Sequence, residues 1–413
     1  MRILFSHNNY PAQFRRLIPA LVERGCDVAF LCISKEWHAP SIASVRIIPF
    51  QPHRSLGGPV IHPYLRRFEE AVLQGQAAYR VADELHKSGW VPDCIINHVG
   101  FGNGLYLSDV FPNAYRIGLF EWYYNSVNAD VDFLNKGLVD NDKKLKLRTW
   151  NAQILLELAC CDEAITPTNW QRNQFPSHLR STLKVIHEGI DVELMRSLRK
   201  KPLQRFSCLA DDPNLEIVTY ISRGFEEYRG FPQAMQAMAE LQRRRPSLHV
   251  LIVGNDGVAY GAARTDGRSW GKWALEELPL DPSRTHWLGI LQDAEYQQVL
   301  ALSTVHLYLT VPFVLSWSLL EAMAAGCAIV ASSTEPVLEV IEDGVSGILV
   351  DFFDPIAQAD AVEELLINPD YRLQLASQAQ AQAENYASRL GIESWLSLIG
   401  VGDNIKRSLN QIY

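Results

Sequence analysis

The sequence predicts an α/β protein built from two doubly wound parallel sheets, and three observations carry that prediction. Short apolar runs alternate with helix-period segments from the first residue onward. The alternation starts afresh after a polar, basic stretch at 197–205. At 413 residues the chain is also too long for one ordinary core, and it suits two domains of about 200 residues each.

In the first half, runs at 2–7, 27–32, 45–50, 93–98, 115–121, 163–166 and 183–187 read as strands, with helical periodicity over 14–24 and 65–86. The second half continues with strands at 215–221, 249–254, 286–289 and 305–310. The stretch at 197–205, just after Glu188-Gly189-Ile190-Asp191, is the best boundary, so domains are expected over 1–200 and 206–388. Beyond about residue 370 the chain reads as helix to its end, and it holds no internal repeat or low-complexity segment.

Residues 311–350 are the most informative stretch. Ser318 precedes Glu321 by three positions with Leu319 and Leu320 between, the spacing of a capping box that opens a helix. Ala322, Ala324, Ala325 and Gly326 keep that helix thin. A buried strand at 328–331 follows, then the polar loop Ser332-Ser333-Thr334 and a further helix with Pro336 in its first turn and Gly344 past its end. In an open parallel sheet, anionic ligands settle at the loops after strands and at the helix N-termini beside them. On spacing alone Glu321 reads equally as a cap or as a ligand contact.

Composition bounds the function. With 47% hydrophobic and 21% charged residues the chain is an ordinary globular one, and a formal charge of −9 supplies no overall field for nucleic acid. The basic clusters Arg15-Arg16, Lys143-Lys144-Leu145-Lys146-Leu147-Arg148 and Arg243-Arg244-Arg245 read as solvated helix faces, although the second would suit transient contact with an anionic membrane. Met1 leads straight into an apolar strand without a signal pattern, and no apolar run is long enough to span a bilayer, so a cytoplasmic location is expected, with peripheral contact at the inner membrane face. The seven cysteines are odd in number and scattered, as reduced core thiols are.

Ser318-Leu-Leu-Glu-Ala-Met-Ala-Ala-Gly326, followed by Glu339 and Asp343-Gly344-Val-Ser-Gly347-Ile-Leu-Val350, resembles the donor-site signature of the retaining glycosyltransferases of family 4. The resemblance implies the GT-B architecture, two Rossmann-like domains facing across a deep cleft, with a last segment at 389–413 packing back on the N-terminal domain. It also implies a nucleoside-diphosphate sugar as co-substrate, no further cofactor, and a carbohydrate or lipid-linked acceptor. Family members carry a pair of donor-site glutamates. Glu321 matches the one that contacts the ribose, and Phe313 stands where the one that contacts the sugar hydroxyls would be.

Breaking a glycosidic bond to a diphosphate leaves negative charge that a metal, or fixed cations with a helix N-terminus, must stabilise. Asp130 and Asp132 offer only a short Asp-x-Asp pattern outside the donor half, so no metal is expected. Arg223 and Arg229 resemble the family's phosphate clamp, with Arg229 where lysine is usual. By the same resemblance Gly254, Asn255, Leu288, Gly289, Ser316, Trp317, Ser318 and Leu319 border the donor, the helix start offering backbone N–H groups. In the first half His7, Asn8, Pro11, Gln13, His98, Gly100, Glu121 and Tyr123 follow strand ends and are expected to face the acceptor, with His98 and Glu121 as candidates for positioning it or removing its proton. Two other readings stay open: a nucleotide-sugar epimerase, and a catalytically retired protein that only binds a sugar nucleotide.

Overall fold

The computed structural model describes residues 1–33, 42–55, 61–200, 206–209 and 215–401, and in it the chain forms two compact units. One unit comprises 1–126, 139–189 and the chain from 388 onward, and the other comprises 127–138 and 190–387. The crossing at 189–190 falls before the polar stretch, because the helix Val192–Ser197 packs into the second unit's core through Val192 and Met195. Positions 201–205 of that stretch, and the end of the C-terminal segment beyond 401, lie outside the described residues.

The first unit holds a seven-stranded parallel sheet: β1 (Arg2–Ser6), β2 (Asp27–Cys32), β3 (Val45–Pro49), β4 (Cys94–His98), β5 (Tyr115–Leu119), β6 (Glu163–Thr166) and β7 (Leu183–Val185). Its order is β3-β2-β1-β4-β5-β6-β7, so the direction of winding reverses between β1 and β4. Apolar layers cover both faces, which is why these strands read as continuous apolar runs: Phe5 and Phe30 face one layer, Leu4 and Ala29 the other. The long helix Arg66–Lys87 covers one face. The expected helix at 14–24 becomes a turn at Ala12–Phe14 and a helix at Leu17–Glu23. The helix Ser388–Ile399 joins the other layer through Trp395, Leu396 and Ile399. A Cβ on Gly391 would come within 2.3 Å of the His187 carbonyl oxygen, so this approach requires glycine.

The second unit holds a six-stranded parallel sheet: β8 (Glu216–Gly224), β9 (Leu248–Asn255), β10 (Thr285–Gly289), β11 (Val305–Tyr308), β12 (Ala328–Ser332) and β13 (Ile348–Val350). The order β10-β9-β8-β11-β12-β13 reverses between β8 and β11. Val330 faces one apolar layer while Ile329 and Ala331 face the other, the period-two pattern of a strand buried on both sides. Segment 127–138 packs here through Phe133, whose ring lies 5.3 Å from that of Phe352 and 5.0 Å from that of Phe353.

Two local expectations need correction. The helix after β11 spans Trp317–Ala324 and its N-cap is Ser316, not Ser318. Ser316 has extended backbone and its Oγ accepts the Ser318 N–H, so Ser318 already lies inside the helix and Glu321, five positions after the cap, is outside the spacing of a capping box. The helix with Pro336 is also short, Glu335–Leu338, and Gly344 belongs to the later turn that bridges Asp343 to Gly347.

Candidate functional site

The reversal between β8 and β11 puts the ends of these strands where an open α/β sheet binds ligands. Arg229 lies here, in the turn Glu227–Arg229 after β8, and only 6% of its surface is exposed. Its Nη1 donates to Thr310 Oγ1 at 2.9 Å and lies 3.4 Å from the Tyr308 hydroxyl. The rings of Tyr260 and Phe313 each have their centroids 5.5 Å from the guanidinium carbon, within cation–π range. No carboxylate pairs with Arg229 among the described residues. The guanidinium is thus buried among neutral hydroxyls and aromatic faces, an arrangement that leaves its charge uncompensated by any carboxylate among the described residues.

The surrounding loops fix this cation. Glu226 is fully buried and accepts the N–H groups of Ala259 (3.1 Å), Tyr260 (2.9 Å) and Gly261 (2.8 Å), which places the Tyr260 ring. The Phe313 ring packs 5.0 Å from Tyr260 and 5.4 Å from Tyr228. The Tyr228 hydroxyl in turn donates to Asp130 at 2.6 Å. Asp132 accepts the N–H groups of Asn128 and Ala129, so the two carboxylates of the Asp-x-Asp pattern have separate structural partners.

The Tyr308 hydroxyl also accepts the Ser316 N–H at 2.9 Å, tying the start of the helix Trp317–Ala324 to the neighbourhood of Arg229. The Ser316 N–H donates to the Tyr308 hydroxyl and the Ser318 N–H to Ser316 Oγ, so both have partners within the chain. Within this helix Leu319 is fully buried, and Glu321, 5% exposed, accepts the Tyr296 hydroxyl at 2.6 Å. Trp317 is partly buried against the same core layer. Arg223 is exposed near the end of β8, inside the strand and not after it, because β8 pairs with β9 as far as Gly224 with Asn255. No contact joins Arg223 to Arg229 among the described residues.

Gly254, next to last in β9, has φ +144°, and a Cβ there would lie 2.1 Å from the Ser222 carbonyl oxygen, so only glycine lets the strands converge. Asn255 beside it is exposed, and Asp256 accepts the Gly271 N–H at the start of the helix Trp270–Glu277. Leu288 is half-buried and Gly289 exposed at the end of β10.

In the first unit, the reversal between β1 and β4 gathers a polar cluster. His98 Nε2 lies 3.0 Å from Glu121 Oε2, and Gln13 Nε2 donates to Glu121 Oε1 at 2.8 Å. Burial pushes the Glu121 carboxyl up, but the charge and hydrogen bond of His98, the Gln13 bond and the charge of His187 outweigh it and hold the group below the usual carboxylate range. The His7 ring lies edge-on to His98 at 4.6 Å, with Phe101 against both, and its Nδ1 accepts the Asn9 N–H. Asn8 Oδ1 accepts from Asn103. Pro11, on a cis bond after Tyr10, precedes the turn that carries Gln13. Gly100, at φ +116°, takes a hydrogen bond from Gln153 on its carbonyl. Tyr123 lies apart from this group, packed 5.0 Å from Phe175.

Sequence reasoning missed Tyr296, Tyr308, Thr310, Tyr260 and Glu226, whose partners are distant in the chain. It also missed Glu157, a buried acid that accepts from Asn97 at 2.5 Å. Burial raises the Glu157 carboxyl to about 8, against the lowering effect of hydrogen bonds from Asn97, Gly100 and Gly104, so it stays protonated near neutrality and supports the loop after β4.

Residues 24–195 match the family model described as "Glycosyl transferase family 4 group", and residues 207–382 match "Glycosyl transferases group 1". Among curated proteins, the D-inositol 3-phosphate glycosyltransferase of Corynebacterium diphtheriae is 25% identical over 223 residues, covering 53% of this chain and 50% of the relative. The protein of that name from Frankia alni is 29% identical over 215 residues, covering 49% of each. The chain thus spans about half the length of the curated relatives it matches. Among solved structures, Anabaena HepE in complex with UDP superposes with a TM-score of 0.67 at 18% identity, covering 97% of this chain and 100% of that one. Sucrose-phosphate synthase from Thermosynechococcus elongatus gives 0.66 at 17% identity over 96% and 98%. The fold is therefore GT-B, with two Rossmann-like parallel-sheet domains.

Proposed function

We propose that this chain, whose two halves are a family 4 glycosyltransferase domain and a group 1 glycosyltransferase domain, moves a glycosyl group from a nucleoside-diphosphate sugar to an acceptor hydroxyl. The observation that carries the reading is Arg229, a buried guanidinium with no carboxylate partner among the described residues, at the winding reversal of the second sheet. A departing diphosphate is the anion it suits: the fixed charge and the adjoining helix start need no reorganisation as negative charge develops. Arg223, exposed near the end of the same strand β8, adds a second cation from solvent. Glu321, held by Tyr296, is assigned to the ribose.

Transfer with retention follows if the acceptor oxygen attacks the face that the diphosphate leaves. The glycosidic C–O bond to phosphate breaks, the new C–O bond forms, and the acceptor's proton passes to the leaving phosphate oxygen. No protein nucleophile and no metal is required in this scheme. His98 and Glu121 orient the acceptor hydroxyl, the ionised Glu121 accepting its hydrogen bond. UDP-glucose is the first donor to test, since HepE has been solved with UDP and with UDP-glucose. The relatives' name makes a phosphorylated cyclic polyol the first soluble acceptor, and surface polysaccharide or glycolipid assembly is the setting proposed.

The test is calorimetric titration of the purified chain with UDP, GDP and ADP, followed by transfer assays with the matching sugar nucleotides. Binding of none of the three would remove the reading. Phe313 favours a second reading, a sugar-nucleotide binder without transfer, because by the family resemblance an apolar ring stands at the position of an acidic sugar contact. Binding without transfer or hydrolysis across donors would select it.

A further inference from the structure

The loop that joins β11 to the helix Trp317–Ala324 carries the run Val311-Pro312-Phe313-Val314-Leu315, five successive apolar residues at the edge where the second sheet reverses. Phe313, Val314 and Leu315 are only partly buried. In the loop after β9, which brings Tyr260 against Phe313, Val258 and Tyr260 are 41% and 43% exposed. Phe313, Tyr260 and Tyr228 make a wall of three rings, and the first two lie 5.5 Å from the Arg229 guanidinium carbon. A cation suited to a diphosphate is therefore flanked by carbon, although a sugar carries hydroxyls that need partners.

The wall is fixed, and its polar atoms are few. The Val311 N–H donates to the Tyr228 carbonyl at 3.0 Å, and a Cβ on Gly261 would come within 3.0 Å of the Tyr228 ring, so both loops rest on Tyr228. The Tyr228 hydroxyl donates to Asp130, and Thr310 Oγ1, which takes the Arg229 bond, donates to the Val311 carbonyl. These contacts leave the Tyr260 hydroxyl as the polar atom that the three rings offer a ligand. The layers of the sheet also tell the two ends of the ligand apart. Glu321, assigned to the ribose, bonds Tyr296, which packs with Trp317 on one apolar layer, whereas Phe313 and Tyr228 pack on the opposite one. With the diphosphate on Arg229, the nucleoside lies toward the first layer and the glycosyl group toward Phe313.

We propose that the glycosyl group is a deoxy sugar, with a hydroxyl missing where the sugar meets Phe313; the inference rests on the sugar-nucleotide reading of this site. A fully hydroxylated hexose presses one hydroxyl against the phenyl ring, where it loses water and gains no side-chain acceptor. A sugar with hydrogen or a methyl group at that position forfeits no hydrogen bond and buries apolar surface on the ring. The selection is bounded, because an apolar pocket discriminates against an added hydroxyl by no more than about a hundredfold. Arg229 and the nucleoside contacts are common to both kinds of donor, so the preference resides in the sugar alone.

The test is calorimetric titration of the full chain with the nucleoside diphosphate it binds, the glucose conjugate of that nucleotide, and analogues lacking the glucose hydroxyl at C2, C3, C4 or C6 in turn. At least one analogue should bind about tenfold or more tighter than the glucose conjugate. If none does, the inference is overturned while nucleotide binding still stands; if no nucleoside diphosphate binds, the sugar-nucleotide reading falls first. Tighter binding of the N-acetylglucosamine conjugate than of every deoxy analogue would also overturn it, giving the wall to an acetamido methyl instead. Phe313→Gln, which adds an uncharged acceptor, should erase the preference, and Phe313→Leu, which stays apolar, should keep it. A preference unchanged by Phe313→Gln would remove Phe313 as its source. The wild-type comparison depends on neither variant, and affinity rather than turnover is read, so the outcome is the same whether or not transfer follows.

Discussion

Replacing Arg229 by alanine should separate ligand binding from stability. The side chain makes one hydrogen bond to Thr310 and lies against two aromatic faces, worth about 1 kcal/mol each way at most to the free protein. Relief from burying a cation without a counter-ion opposes that loss. Melting of the unliganded protein should therefore move by no more than about 4 °C. Ligand binding should respond far more, because two charge-assisted bonds to a diphosphate contribute roughly 3 kcal/mol, about a hundredfold in Kd. At a UDP concentration about a hundred times the wild-type Kd, UDP stabilises the wild type by about 2.7 kcal/mol. The same concentration then only equals the variant's Kd, and the gain falls to about 0.4 kcal/mol. Scanning calorimetry with and without UDP reads both quantities, and turnover should drop roughly 10²- to 10³-fold. Arg229→Lys should fall between, keeping the charge and losing the fork. An alanine variant with the full wild-type UDP shift would refute the assignment.

Glu321→Ala should weaken UDP binding roughly tenfold or more while leaving inorganic pyrophosphate binding unchanged, and Tyr296→Phe should show a milder form of the same split; equal losses for both ligands would exclude a ribose role. Glu121→Gln should lower kcat at least tenfold with little change in UDP affinity, since the ionised carboxylate is lost and its bulk is kept; an unchanged kcat removes Glu121 from the acceptor side. Glu157, raised to about 8 in the folded chain, binds a proton there that the unfolded chain has released. Its contribution is full below the unfolded value near 4.5 and is lost as pH rises toward 8, with a slope of at most about 1.4 kcal/mol per pH unit. Glu157→Gln should flatten the decline in melting temperature over that window, and an identical pH profile would show that the acid is not held neutral. Gly254→Ala should destabilise the chain by about 2–4 kcal/mol in denaturant melts, because its Cβ would strike the Ser222 carbonyl; a change under about 0.5 kcal/mol would mean the strands can part freely.

Patterns confined to neighbouring positions were legible before any fold was known. Apart from β13, which no apolar run had announced, and the end of β8, which runs three residues beyond the expected 221, the strands of both sheets stand within a residue or two of the apolar runs that announced them, because a parallel strand buried on both faces must be continuously apolar. Strand ends with polar or glycine residues marked His7, His98, Glu121, Gly254 and Arg229, since parallel strands deliver their ends to one side. Local spacing misled where two serines competed for one position. Ser316 and Ser318 both suit an N-cap, and Tyr308, at the end of β11, settles the helix start by taking the Ser316 N–H. Tertiary structure alone decided which groups become partners. It enclosed Arg229 between Tyr260 and Phe313, gave Glu321 to Tyr296, held the Tyr260 loop on Glu226, and carried segment 127–138 over to the second unit. The physical reason is burial: a charge's partner and its worth depend on which groups the fold removes from water around it, and spacing along the chain does not specify them.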